Sequence, residues 1–174
     1  MKDERFRPGW SMKNGTKLSG DSSLMLYRAQ AHANMKSTCS KVKVGSIIIA
    51  EDYTLILGCN RGIERDCRES GCHRVEKYGE NSKAHRLPSD CVSIHSEIDA
   101  ICQAAKSGIR LRNAVIFVTR YPCEACARAI ITSGIRRVVY GRKEEISDMT
   151  KSMFEVAKVQ VEHVSDWEYE DNNC

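Results

Sequence analysis

The sequence predicts an α/β domain: three layers, α/β/α, around a mixed five-stranded sheet, with a Cys/His-rich insert. Three observations predict it. Short apolar, β-branched runs recur along the chain in the manner of buried strands. Segments of helical period alternate with most of them. One aperiodic stretch, residues 60–92, interrupts the pattern and gathers Cys, His, Gly and charge.

Taken in order, residues 1–20 are polar and read as a loose arm, with Lys2, Arg5, Arg7, Lys13 and Lys17 against Asp3 and Glu4. Asp21 and Ser22 can cap a helix that runs to Lys36, with Leu24, Tyr27, Ala31 and Met35 near one face. Val44 to Ala50 is a buried strand. Glu51-Asp52 turns the chain, and Thr54 to Gly58 returns as the second strand of a hairpin. The insert follows. Ile94 to Ser107 reads as a helix, with Ile98, Ile101, Cys102 and Ala105 at helical spacing, so Cys102 is expected in the core. Ala114 to Thr119 is a buried strand, and Cys123 to Ser133 a helix stopped by Gly134. Arg137 to Tyr140 is a strand, Asp148 to Val156 a helix, and Val159 to Val164 a last strand. After the hairpin, helix and strand alternate. Crossovers should therefore give parallel strands with helices on both faces, the hairpin supplying one antiparallel pair. Residues 21–165 make the domain, and 166–174 an acidic tail.

The whole is 174 residues, enough for one core with an insertion. Its net charge of +4 suits an anionic small-molecule substrate and falls short of the footprint of a nucleic-acid binder. No apolar run approaches the roughly 20 residues that span a bilayer. The charged opening has no apolar stretch behind it, so no secretory leader is expected, and the expected location is cytoplasmic.

Nine cysteines stand out. An odd count without a leader argues against a disulfide framework, and clustered Cys and His in a reducing compartment point to metal. Two short motifs carry the chemistry, each at a helix start: His95-Ser96-Glu97 and Pro122-Cys123-Glu124-Ala125-Cys126. Three donors, His95, Cys123 and Cys126, leave one position open on a tetrahedral zinc, the mark of a catalytic site. Glu97 stands two residues from the first ligand, where it can carry a proton without binding the ion. The order H-x-E followed by P-C-x-x-C matches the zinc deaminase signature.

On these residues the chain resembles the cytidine deaminase-like superfamily, and within it the deoxycytidylate (dCMP) deaminases and their competence-operon relatives, over about residues 24–165. Ser37-Thr38-Cys39, Val44-Gly45 and Tyr121-Pro122-Cys123 share in the likeness. So does Gly58-Cys59-Asn60, which sits where the family has G-Y-N-G. The resemblance implies hydrolysis of dCMP to dUMP and ammonia, with a zinc held by His95, Cys123 and Cys126 and Glu97 as proton carrier. It implies that Asn60 contacts the sugar, and it offers Arg61 and Arg142, with Lys143, to the substrate phosphate. Cys59 and Arg61 depart from the family pattern, and Glu144 and Glu145 stand where a phosphate would disfavour them. The insert, by the same resemblance, holds a second, structural zinc through Cys39, Cys67, Cys72 and His85, with His73 and Cys91 as substitutes. A homo-oligomer, often a hexamer, is implied as well. Cys174 reads as a free thiol in the tail. The alternatives are a deaminase of tRNA adenosine or of a free nucleoside or base, and a catalytically dead zinc scaffold, for which Glu97 would be superfluous.

Overall fold

The structure is a computed structural model that describes residues 19–63, 66–79, 91–142, 147–165 and 167. The arm, His85, Lys143, Glu144, Glu145 and Cys174 lie outside the described residues. A helix, α1 (Ser19–Lys36), leads into the hairpin β1 (Gly45–Ile49) and β2 (Leu55–Cys59). The insert carries β3 (Arg61–Gly62), α2 (Cys67–Ser70), α3 (His73–Tyr78) and β4 (Ser93–Ile94). Then come α4 (Ser96–Lys106), β5 (Val115–Arg120), α5 (Glu124–Ser133), β6 (Arg137–Arg142), α6 (Asp148–Val156) and β7 (Gln160–His163). The aperiodic stretch therefore does hold regular structure, in pieces too short to leave a period.

The main sheet runs β2-β1-β5-β6-β7, and β3 pairs with β4 in a separate two-stranded sheet. β5, β6 and β7 are parallel. β1 is antiparallel to both β2 and β5, so there are two antiparallel pairs rather than one. The reason is topological. α4 carries the chain from β2 to β5 so that these two strands run the same way, and β1 lies between them.

Alternation sorts the strand side chains onto two faces. Ile56, Ile48, Ile116 and Val138 are register partners in one row across four strands. They pack under Ala100 and Ala104 of α4, Ala127 and Ile130 of α5 and Phe154 of α6. Burying each large aliphatic side chain contributes about 1.5–3 kcal/mol. On the other face Ile47, Ile49, Phe117 and Val139 meet Leu26 and Ala29 of α1. Trp167, which falls in the stretch read as a tail, is buried against this same face.

One predicted face is reversed and another is turned, with Ile101 of α4 still packed against the core. α1 leaves Leu24, Tyr27 and Met35 exposed and buries Leu26, Ala29, Gln30 and Ala33. Its inward residues are small because the helix lies directly on β1: a Cβ on Gly45 would sit 1.9 Å from the Ala29 carbonyl oxygen. Cys102 of α4 is exposed, not core. The inward face of that helix is Glu97, Ala100 and Ala104. Among the described residues no helix is long and apolar enough to cross a membrane.

Candidate active site

α4 and α5 both begin at one end of the sheet. β5 runs out through Arg120, Tyr121 and Pro122 into Cys123, the N-cap of α5. α4 is seated on β2: a Cβ on Gly58 would lie 2.3 Å from the Ser96 carbonyl oxygen and 2.6 Å from the Ala100 nitrogen. Ser46 Oγ donates to that same Ser96 carbonyl at 2.7 Å. The N-cap of α4 is His95.

Neither N-cap side chain bonds an amide of its own helix. They face each other instead. His95 Nδ1 lies 3.5 Å from Cys123 Sγ and 3.4 Å from Cys126 Sγ, and the three donor atoms all fall within 4.8 Å of one another. A tetrahedral ion with Zn–S near 2.3 Å and Zn–N near 2.0 Å separates such an N and S by about 3.5 Å. The donor set therefore fits zinc in identity, number and spacing.

Without an ion the three donors bond to one another, and this sets their proton affinities. The hydrogen bond with Cys123 holds the His95 imidazole up at about 9, against the effect of burial. The Cys123 thiol is held down at about 3, first by its hydrogen bond with Cys126, with burial opposing and His95 assisting. Cys126 is pushed up by its hydrogen bond to Cys123 and by burial. Binding an ion would displace the protons of His95 and Cys126 and leave the thiolates beside helix N-termini, which favour negative charge.

Glu97 lies beside the three donors in a cavity of about 270 Å³, lined also by Asn60 and Tyr121. It is 4% exposed and accepts from Ser96 Oγ at 3.0 Å. Burial pushes its carboxyl up.

The other residues singled out in the sequence divide. Asn60 lines the cavity, but its amide is engaged with the wall: Oδ1 accepts from Val44 N at 2.8 Å and lies 2.7 Å from Ser37 Oγ, and Nδ2 donates to the Val42 carbonyl at 2.8 Å. Arg61 does not line this cavity. Its guanidinium is drawn to Asp99, at 2.7 Å. Arg142 ends β6, where its carbonyl accepts from Tyr121 N at 3.3 Å, and it too is absent from the cavity wall. Of the insert donors, Cys39 and Cys91 line the cavity itself, Cys67 is buried at the start of α2, and Cys72 is the N-cap of α3. His73 lies half-exposed beside Glu76. Among the described residues, only His95, Cys123 and Cys126 converge as a group of three metal donors.

Three cations on the cavity wall escaped the sequence reading: Lys41, Arg74 and Arg120. Arg120 had a signal, since it ends a strand just before the P-C-x-x-C motif, where α/β sheets place ligands. Arg74 sits in the insert, where no pattern tied it to the site.

The fold and the donor set together define a class, the zinc-dependent deaminases. The chain belongs to the cytidine and deoxycytidylate deaminase family, whose zinc-binding region matches residues 19–142. It is 32% identical over 142 residues to ComE operon protein 2 of Bacillus subtilis (strain 168), covering 79% of this chain and 69% of that protein. It is 27% identical over 164 residues to deoxycytidylate deaminase of Schizosaccharomyces pombe, covering 92% of this chain and 46% of that protein. The chain thus spans less than half the length of the fission-yeast relative. The dCMP deaminase from the cyanophage S-TIM5, solved with dCMP and dUMP, superposes with a TM-score of 0.61 at 21% identity, over 85% of this chain and 98% of that one. That likeness establishes the shared fold.

Proposed function

We propose that the protein hydrolyses the 4-amino group of a cytosine nucleotide, converting dCMP and water to dUMP and ammonia. The observation that carries this is the buried Glu97 in one cavity with His95 and Cys123, whose donor atoms converge with that of the buried Cys126. A purely structural metal site has no use for a buried carboxylate that stays off the ion.

His95, Cys123 and Cys126 would hold the zinc, whose contribution is to make water acidic enough to attack at neutral pH. Glu97 takes one proton from the attacking water and gives it to the ring nitrogen, then moves the second proton from the new hydroxyl to the amine, which leaves as ammonia as the C–N bond breaks. Tyr121 and the loop that Asn60 braces line the cavity that would receive the base. The nucleotide, rather than the nucleoside, is favoured by Lys41, Arg74 and Arg120, which together bring three positive charges to the wall. The S. pombe relative, named a deoxycytidylate deaminase, supports the same substrate class.

A second zinc on Cys39, Cys67, Cys72 and His85 belongs to this proposal on family resemblance alone, as does a homo-oligomer. Elemental analysis reads the first as two ions per chain, and light scattering on the eluted protein reads the second.

Ammonia release across dCMP, CMP, deoxycytidine, cytosine, adenosine, guanine and tRNA tests the reading. Turnover should be greatest on dCMP. Turnover confined to adenosine in tRNA, or to a free base, would replace it, and none on any substrate would leave only a scaffold.

A further inference from the structure

Arg61, offered to the substrate by sequence, has another place in the molecule. Its backbone pairs across the small β3–β4 sheet with Ile94, the residue directly before His95. Its side chain reaches the first turn of α4 just beyond Glu97. There Nη2 and Nε donate to Asp99 Oδ1 at 2.7 and 3.1 Å. The other oxygen, Oδ2, accepts from Cys59 N at 3.1 Å. Residues 59–61 therefore grip the chain on both sides of His95-Ser96-Glu97, by backbone before it and by side chains after it. Asp99 is 4% exposed on its side chain, and Gln103 Nε2 adds a bond to Oδ1 at 3.2 Å.

We propose that Arg61 and Asp99 form a clasp that positions His95 and Glu97, an inference that rests on reading His95 as a zinc ligand. Arg61 is a positioning residue, then, and not a contact of the phosphate. A forked guanidinium on a carboxylate fixes angle as well as distance, so it can hold a helix start against rotation. Supporting bonds of this kind around metal ligands typically govern about 10–100-fold in affinity or activity.

The test uses the full chain with two readouts besides turnover. Chelator competition gives the Kd for Zn²⁺, and the visible spectrum of the Co²⁺-substituted protein reports the arrangement of imidazole and thiolates around the ion. Arg61→Ala should weaken Zn²⁺ binding by about 10–100-fold and shift the Co²⁺ bands. It should lower kcat with KM for dCMP within about twofold, whereas loss of a phosphate contact would raise KM. Arg61→Lys keeps the charge without the fork and should fall between; it carries the same readouts should the alanine variant fail to fold. Asp99→Asn should act at least as strongly as Arg61→Ala, since Asp99 also accepts from Cys59 N, and the double variant should fall short of the sum of the singles, because the two share one interaction. Unchanged Zn²⁺ affinity and an unchanged Co²⁺ spectrum in a folded Arg61 variant would overturn the clasp, even with a lowered melting temperature. A rise in KM alone would overturn it too and return Arg61 to the substrate. A wild-type protein that deaminates no cytosine compound would refute the proposed reaction instead, and the Kd and the spectrum would still decide the clasp.

Discussion

Glu97 and Cys123 lie in one cavity, yet the account gives them separable tasks, one moving protons and the other holding metal. Glu97→Ala should keep its zinc and lose about 10³-fold in kcat, within the 10²–10⁴ that a positioned acid–base group supplies. Elemental analysis beside the turnover assay checks this, and a metal-free variant or full activity would contradict it. Cys123→Ala should lose the ion from this site along with activity. Asp99 adds a pH dependence. Burial alone would raise its carboxyl, but hydrogen bonds from Arg61 and then Cys59 N outweigh it and hold the group below its ordinary 3.8. A depressed carboxylate contributes stability that is present above 3.8 and is lost as pH falls through the folded value. Arg61→Ala removes the largest of those bonds, so the variant should melt below the wild type at pH 6 and the two should draw together as the pH falls toward 3. Melting temperatures followed from pH 6 to pH 3 read this; coincident profiles would contradict it.

At the scale of elements, the five strands of the main sheet and the four helices outside the insert were legible, because β-branched runs and caps are local signals; β3, α2, α3 and β4 of the insert were not, being too short to leave a period. α6 spans the predicted Asp148–Val156, and α5 ends at the predicted Gly134. The inward faces of α1 and α4 were not legible. An apolar stripe marks the buried side of a helix only when bulk fills the gap to the sheet. Here Ala29 lies against Gly45, and Ser96 and Ala100 lie on Gly58, so contact is made by small residues. In α4 the inward face also carries Glu97 and Asp99, polar groups kept for the site. The donor trio was legible because each member sits in a short motif at a helix start. The cations Lys41, Arg74 and Arg120 were not, because tertiary folding alone assembles them. The close seat at Gly58 gives a prediction. Gly58→Ala forces a Cβ to within 2.3 Å of the Ser96 carbonyl, which is backbone and cannot swing aside. It should cost about 1–3 kcal/mol in denaturant titration and reduce turnover, since the clash falls beside Glu97. A neutral effect on both would show that α4 can shift without disturbing the site.

For the whole molecule, the sheet order explains where the chemistry gathers. β5 is the strand at which the antiparallel pairing with β1 gives way to the parallel run through β6 and β7. Its carboxyl end delivers Cys123 and Cys126, while the β2–α4 connection, drawn together by β3 and β4, delivers His95 and Glu97. Ligands in α/β sheets bind at the carboxyl ends of strands where the order changes, and this cavity conforms. The modest net charge of +4 hides a local concentration of cations on the cavity wall, which is what a nucleotide requires and a nucleoside does not. The most direct measurement is therefore kcat/KM for dCMP against deoxycytidine on the zinc-loaded protein. The account predicts a preference for dCMP of about 10²-fold or more, because the phosphate can bond to cations on that wall and the nucleoside cannot. Equal efficiency on the two would contradict it and make the protein a nucleoside deaminase.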